Sequence, residues 1–326
     1  MIPALVLTAG LATRLRPLSL VRAKAALPVG DHVIAQRILR WLAGYGVTDA
    51  VLNLHHLPHT ITSIIGDGTA ESVRVRYSWE MPLLGSAGGP RRALPLLGAS
   101  PFLIVNGDTL TNVNLAALVD AHARSEALVT LAVIPNAEPE KYGGVELGAD
   151  GAVTGFATPG RRGRDRDLYH FVGVQVAEAA AFATLPDNLP YESVKQLYPA
   201  LIAERRGSVR AFVTDAEFFD IGTPADYLTT SLHFGSGTPS LDKLGAPQGS
   251  RGADPGSPVQ DCVLWQDVEI APDARLHRCV ITDGVRIPKG ASWVNKTIRV
   301  AHGELMATED LVGELAVGPI DGSTRS

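Results

Sequence analysis

Four apolar residues, Ala4-Leu5-Val6-Leu7, run straight into a turn of small residues, Thr8-Ala9-Gly10-Leu11-Ala12-Thr13, and then into Arg14 and Arg16. No other stretch constrains the fold as strongly. The apolar run has the length of one strand buried on both faces, as strands of a parallel sheet are. A small, flexible turn at the carboxyl end of such a strand lets backbone N–H groups approach phosphate oxygens. Arginines just beyond add fixed charge and planar donors, and Lys24, four residues before Pro28, adds a point charge. The expectation is a nucleoside triphosphate site. The Walker pattern ending in Gly-Lys-Ser/Thr is absent. So is the dinucleotide pattern of three spaced glycines, because Ala12 stands where a second glycine would be. A plain βα turn with solvated arginines competes with this reading on the stretch alone.

The chain of 326 residues is 45% hydrophobic and 19% charged, as a soluble globular protein is. Its length suits one large or two modest domains. A net charge of −5 leaves no basic excess to neutralise a nucleic-acid backbone. Cys262 and Cys279 are too few for a disulfide framework. No apolar stretch approaches ~18 residues, so no membrane span is expected. The sequence opens on a strand-like run without a charged leader, and the cytoplasm is the expected compartment.

Periodicity places a helix over residues 33–45, with Ile34, Ile38, Trp41 and Leu42 on one stripe and Gly44 and Gly46 as stops. A strand follows at 50–54. His55, His56 and His59 lie in the next loop and read as structural or solvated, since a fourth ligand and a helical frame are lacking. A helix over 60–65 and a strand over 73–79 lead to a second glycine-rich loop, Glu80-Met-Pro-Leu-Leu-Gly85-Ser-Ala-Gly88-Gly89. Two such loops are more than core packing needs. Residues 101–105 read as a buried strand, and Asn106-Gly107-Asp108 presents a carboxylate at its carboxyl end, where ligands bind in open α/β sheets. A carboxylate facing a triphosphate needs a divalent cation between them, and Mg²⁺ suits one or two carboxylates plus phosphates. The bland alternative is a turn aspartate capping the next helix. Helices are expected at 113–125, 177–185 and 193–204, and strands at 129–134, 152–156 and 209–212. Phe218-Phe219-Asp220-Ile-Gly222-Thr-Pro224 brings a second carboxylate just before a helix started by Thr-Pro.

Three phrases carry a resemblance to the sugar-phosphate nucleotidylyltransferases. Gly10, Thr13-Arg14 and Lys24 with Pro28 are similar to that family's Gly-x-Gly-Thr-Arg-x-x-Pro and Pro-Lys signature. Two departures are Ala12 and Ala23; alanine fits the former if its φ is negative. Glu80 to Gly88 resembles the family's base-covering loop, with one extra leucine. Asn106-Gly107-Asp108 and Asp220-Ile-Gly-Thr-Pro resemble its metal-binding phrases.

The resemblance implies an α/β fold: a Rossmann-like mixed, mostly parallel sheet with helices on both faces. It implies transfer of a nucleotidyl group from an NTP to a sugar 1-phosphate, giving an NDP-sugar and pyrophosphate. It also implies the following roles. Arg14 holds the leaving pyrophosphate and Lys24 stabilises the α-phosphoryl transition state. Mg²⁺ sits on Asp108 and Asp220. Thr8, Ala9, Gly10, Thr13, Glu80, Gly85 and Gly88 contact the nucleotide. Tyr142, Gly143, Gly173 and Glu192 lie at the sugar, although a helix N-terminal charge explains Glu192 equally well. The family's Glu-Lys-Pro lysine is missing at Ala157-Thr158-Pro159, and Arg161, Arg162 or Arg164 are the candidates to replace it. GTP with mannose 1-phosphate is the favoured pair. UTP with N-acetylmuramic acid 1-phosphate or glucose 1-phosphate is the alternative. A non-catalytic nucleotide-sugar sensor is the other class, for which Ala12, Ala23 and the absent lysine speak.

The expected domains are a nucleotidyltransferase domain over 1–234, a Gly/Ser/Pro-rich linker over 235–258, a short hexapeptide-repeat segment over 259–300 and a tail over 301–326. Apolar residues recur at about six-residue steps (Val268, Ala274, Val280; Ile270, Leu276). That pattern resembles a short left-handed β-helix, which would cap the main domain or contribute to a homo-oligomer contact.

Overall fold

The computed structural model describes residues 2–160, 168–235, 250–251 and 258–321. The chain forms two compact units, and they are interleaved. One comprises Met1–Gly10 with Gln36–Phe219, the other Leu11–Ala35 with Asp220–Ser326. The sequence reads as a succession of domains divided at a linker; the second unit instead takes back 25 residues from the opening phrase.

The first unit is built on nine strands: β1 (Ala4–Leu7), β2 (Asp49–Leu54), β3 (Arg74–Trp79), β4 (Phe102–Asn106), β5 (Val129–Pro135), β6 (Gly144–Leu147), β7 (Val153–Ala157), β8 (Tyr169–Ala177) and β9 (Val209–Val213). β3, β2, β1 and β4 lie side by side in that order and all run parallel. Parallel neighbours need crossovers. The helices in those crossovers are α1 (Ile34–Gly44), α2 (Pro58–Ile65) and α3 (Gly85–Leu97). On α1, Ile34, Ile38, Leu39 and Leu42 are fully buried, the stripe that a 3.6-residue period predicts. α4 (Leu115–Ala123) is capped by Asn114, whose side chain accepts from Ala117 N at 3.0 Å. β8 adds antiparallel to β4 and to β5, β9 lies parallel to β5, and the β6–β7 hairpin joins at Tyr169 opposite Val145. Leu5, Val51, Phe102, Ile104, Leu131 and Val133 form the core with Phe182 of α5 (Ala180–Ala183) and Tyr198 of α6 (Tyr198–Glu204). The order reverses at β1, which has β2 on one side and β4 on the other. Such a switch point opens a crevice at the carboxyl ends of the strands.

In the second unit, Leu11–Ala35 contributes three 3₁₀ turns (Thr13–Leu15, Leu18–Leu20, Lys24–Ala26) and a tight hairpin, Pro28–Val29 with His32–Val33. α7 (Pro224–Gly235) begins with a capping box. Asp226 Oδ2 accepts from Thr223 N at 3.0 Å, and Asp226 N donates to Thr223 Oγ1 at 3.1 Å. Beyond residue 258 the strands stack in parallel at a constant offset of 17 residues: Val259 beside Leu276 beside Trp293, Val263 beside Val280 beside Thr297, and Glu269 beside Arg286. Three short strand stacks make the faces of a β-helix-like coil, and the six-residue apolar step is the face-to-face spacing. The corners repeat too. Asp261, Arg278 and Asn295 have φ of 49°, 53° and 54°, and Asp267 and Gly284 have 55° and 68°. Asp, Asn and Gly tolerate this left-handed region best. Residues of the tail end in an antiparallel sheet, Lys296–Val300 with Leu315–Pro319 and then Asp310–Val312.

Candidate active site

Asp108 is seated by glycine. Gly107 N donates to Leu7 O at 2.9 Å, and a Cβ on Gly107 would lie 2.5 Å from Leu7 O and 2.8 Å from Thr8 Cγ2. Only glycine lets the end of β4 close against the end of β1, which brings Asp108 beside the Thr8–Gly10 turn at the switch point. Thr109 N closes the turn on Asn106 O at 3.1 Å, and Thr109 Oγ1 donates to Val172 O at 3.0 Å. On the far side, β8 bulges between Phe171 and Gln175. Gly173 sits in that bulge with φ 80°, and a Cβ there would come within 2.7 Å of Asn106 Nδ2. Its close approach is to the Asp108 turn. Asp108 itself is half-buried.

The opening turn is organised by a residue that the sequence reading passed over. Asn53, at the carboxyl end of β2 and 3% exposed, accepts from Thr8 N at 2.6 Å and Ala9 N at 3.3 Å through its Oδ1. Its Nδ2 donates to Glu80 Oε1 at 2.7 Å, and Glu80 Oε2 accepts from Leu84 N at 2.8 Å. The expectation that the amides of Thr8 and Ala9 face a phosphate is therefore corrected: the protein uses them internally. Among the described residues none accepts from the amides of Gly10 through Arg14. Glu80 is 4% exposed and braces the turn from behind. Burial pushes its carboxyl above the usual carboxylate range, against the opposing pull of the Leu84 amide and Asn53. His55 Nδ1 lies 3.0 Å from Glu80 O and so joins this brace. A polar residue inside the apolar run Ala-Val-Leu-Asn-Leu was the signal for Asn53.

The second glycine-rich stretch is a helix start, where a loop was expected. Gly85 to Gly89 form the first turns of α3. Ala87 N and Gly88 N donate to Tyr191 O at 2.8 and 3.1 Å, so these amides too are used by the protein. A Cβ on Gly88 would lie 2.6 Å from Leu189 O, and one on Gly85 2.7 Å from Glu192 Oε1. A third, on Gly89, would lie 2.6 Å from Glu80 Oε1. The glycines thus admit the 189–192 segment on one side and the Asn53–Glu80 brace on the other. Glu192 is exposed, and its Oε2 accepts from Ser86 Oγ at 2.8 Å.

Tyr142 stands in an aromatic group with His170 and Phe218, at ring distances of 4.5 and 6.0 Å. Gly143 packs where a Cβ would meet Ala157 O at 2.9 Å. Arg161, Arg162 and Arg164 lie outside the described residues.

Thr13, Arg14, Lys24 and Asp220 belong to the second unit. Thr13 and Arg14 are exposed, and Lys24 is half-buried at the start of its 3₁₀ turn. Ala12 has φ 47° and ψ 47°, so the condition under which alanine fits there without strain, a negative φ, is not met. Its carbonyl accepts from Leu15 N at 3.0 Å and Ser19 Oγ at 2.9 Å, and these bonds hold the strained conformation. Asp220 is half-buried, and its oxygens lie 3.2 Å from where a Cβ on Gly222 would stand, so glycine there leaves the carboxylate its place. Among the described residues no group of three or more His, Cys, Asp or Glu is arranged to hold a metal. Asp108 and Asp220 offer hard oxygen donors of the type Mg²⁺ takes together with substrate phosphates.

The family model for nucleotidyl transferases matches residues 3–236, more than half of the chain. The chain belongs to the nucleotidyl transferase family. This nucleotidyl transferase is 27% identical over 296 residues to mannose-1-phosphate guanylyltransferase of Mycobacterium tuberculosis (89% of this chain, 82% of that one). It is 29% identical over 320 residues to mannose-1-phosphate guanyltransferase of Emericella nidulans (90% and 85%). Its fold is similar to that of HddC from Yersinia pseudotuberculosis, with a TM-score of 0.63 and 22% identity over 72% of this chain and all of that one. HddC has also been solved complexed with GMP-PN. The mixed, mostly parallel α/β architecture and the enzyme class are as the sequence led one to expect. Among the described residues no helix is long and apolar enough to cross a membrane.

Proposed function

We propose that this transferase joins mannose 1-phosphate to GTP, giving GDP-mannose and pyrophosphate. The observation that carries the reading is the Gly107 turn, which sets a carboxylate at the switch point beside the opening turn. The choice of base and sugar is supported by the two relatives just described, whose matches cover 89% and 90% of this chain.

A phosphate oxygen of the sugar 1-phosphate attacks the α-phosphorus, and the bond from that phosphorus to the β-bridging oxygen breaks. Pyrophosphate leaves with the electron pair. The attacking oxygen is already ionised near neutral pH, since a phosphate monoester loses its second proton at pH ~6. No general base is needed. The protein has to hold two anions in line and offset their repulsion. Arg14 and Lys24 are proposed for the leaving pyrophosphate and the α-phosphoryl oxygens. Asp108 and Asp220 are the proposed carboxylates for a divalent ion, Mg²⁺ by choice, which when bound supplies charge neutralisation at the phosphates. Tyr142 and the Gly173 bulge are proposed for the sugar.

Pyrophosphate release measured with four NTPs against a panel of sugar 1-phosphates tests the proposal. The highest kcat/KM is expected for GTP with mannose 1-phosphate. A clear preference for another pair overturns the substrate choice. Tight NDP-sugar binding with no pyrophosphate exchange for any pair overturns catalysis and selects a sensor.

A further inference from the structure

Arg14 and Arg16 are exposed, but Arg22, two residues before Lys24, is 7% exposed. Its Nη1 donates to Ala26 O within the same turn at 3.4 Å, and the rest of its fork is filled from the far end of the chain. Nε donates to Asp283 Oδ2 and Nη2 to Asp283 Oδ1, both at 2.7 Å, and Nη2 also reaches Gln266 Oε1 at 2.9 Å. The guanidinium lies 5.4 Å from the centre of the Trp265 ring. Trp265 Nε1 donates to Tyr227 Oη at 2.9 Å, and Tyr227 Oη donates to Pro28 O at 2.6 Å. The backbone that carries Lys24 is thus held at both ends, at Arg22 by Asp283, Gln266 and Trp265 and at Pro28 by Tyr227. Between these points the turn is closed by Ala26 N on Ala23 O at 2.8 Å, and Ala25, Ala26 and Leu27 are buried.

The Arg22 side chain is buried and that of Asp283 partly so, at 9% and 30% exposed, and an ion pair drawn out of water in this way is a poor device for stability. Well-packed apolar residues of similar volume do as well or better. What a bidentate fork adds is a fixed orientation. We infer that Arg22 is a positioning residue: with Asp283, Gln266 and Trp265 it fixes the backbone that carries Lys24, so that the C-terminal β-helix-like segment sets the rate of nucleotidyl transfer. This rests on the transferase reading above. The expected size follows from the sensitivity of in-line transfer to placement, where a misplacement of ~1 Å can cost ~10²-fold.

The test uses the full chain with Asp283→Asn, Asp283→Ala and the apolar pair Arg22→Met with Asp283→Leu. Hydrogen exchange of the amides within residues 22–28 (Arg22 to Leu27, since Pro28 has no N–H) is read beside kcat and KM, with rates referred to folded protein. For Asp283→Ala we expect kcat to fall about 10- to 100-fold while KM for the NTP changes less than about threefold. Asp283→Asn keeps the shape and some hydrogen bonding and loses less. Arg22→Met/Asp283→Leu keeps the fold, loses kcat, and exchanges faster at 22–28. Exchange at 22–28 unchanged in all three variants overturns the inference. So does a kcat within twofold of wild type in folded Asp283→Ala or Arg22→Met/Asp283→Leu, or a loss of rate that follows the folded fraction alone. If wild type turns over no substrate pair, the transferase reading falls, and an unchanged exchange pattern would still overturn the anchoring of Lys24 by itself.

Discussion

Truncating Asn53 to alanine removes the acceptor of two buried amides and the donor to a buried carboxylate. Thr8, Ala9 and Glu80 are 5%, 2% and 4% exposed, so open solvent does not replace what is lost. Each orphaned buried group costs ~1–3 kcal/mol, more when charged. The Thr8 bond at 2.6 Å and the Glu80 bond at 2.7 Å count in full, the Ala9 bond at 3.3 Å for less. A water taking the vacated amide volume recovers part of this. The expected loss is about 2–5 kcal/mol, a large share of the ~5–15 kcal/mol that holds a typical domain folded. Urea unfolding followed by far-UV circular dichroism reads it. The midpoint should fall with an unchanged slope. A loss below ~1 kcal/mol would mean that the brace across β1, β2 and β3 does not bear on stability, and the argument from burial would fail. Asn53→Asp is the companion. It keeps an acceptor for both amides but sets a second carboxylate against Glu80, so it should be poor near neutral pH and recover as the pH falls and the pair takes up a proton.

Three further outcomes are expected. Because Glu80 is raised above its ordinary value of 4.5, the folded state binds its proton more tightly than the unfolded one. Stability from this group is therefore present below the ordinary value and is lost as pH rises through the folded one. The stability of wild type minus that of Glu80→Gln should fall as pH rises through this window, and a flat difference in pH-dependent unfolding would contradict the burial argument. Ala12→Gly relieves ~1–2 kcal/mol of left-handed strain and returns ~0.4–1 kcal/mol of unfolded-chain entropy. A net gain of about 0.5–1 kcal/mol should raise the thermal midpoint by about 1–3 °C, and a lowered midpoint would show that Ala12 is not left-handed. Asp108→Asn should cut kcat by about a hundredfold or more while the midpoint moves only a few degrees. Near-normal turnover of that variant would remove the proposed metal role.

What was legible in the sequence followed local rules. β1, β2 and β4 are short apolar runs bounded by turn residues, and α1 shows its stripe at Ile34, Ile38 and Leu42. Asp108 was legible because Gly107 precedes it at a strand end. The first turns of α3 were not, since glycine and Pro90 argue against helix; packing of Leu189 and Tyr191 against Gly88 overrode propensity. Whether alanine fits at Ala12 turned on the sign of φ, which depends on partners such as Leu15 N and Ser19 Oγ that meet its carbonyl only in the folded turn. Asn53 looked like one polar residue in a strand until its three partners, far apart in sequence, were in place. The six-residue apolar step announced the coil, but not that its members engage Arg22 across 261 residues.

The interleaving of the two units also bears on how the chain is made. Leu15, Leu18, Ala25, Ala26 and Leu27 leave the ribosome well ahead of Asp220, where the remainder of their unit begins, and all are buried in the folded chain. During synthesis the nascent parallel sheet carries an excursion of 25 residues whose unit is completed only once the residues after Asp220 have been made. A product cut short after the sheet would leave that greasy flap bare, and a quality-control chaperone would find its handle there.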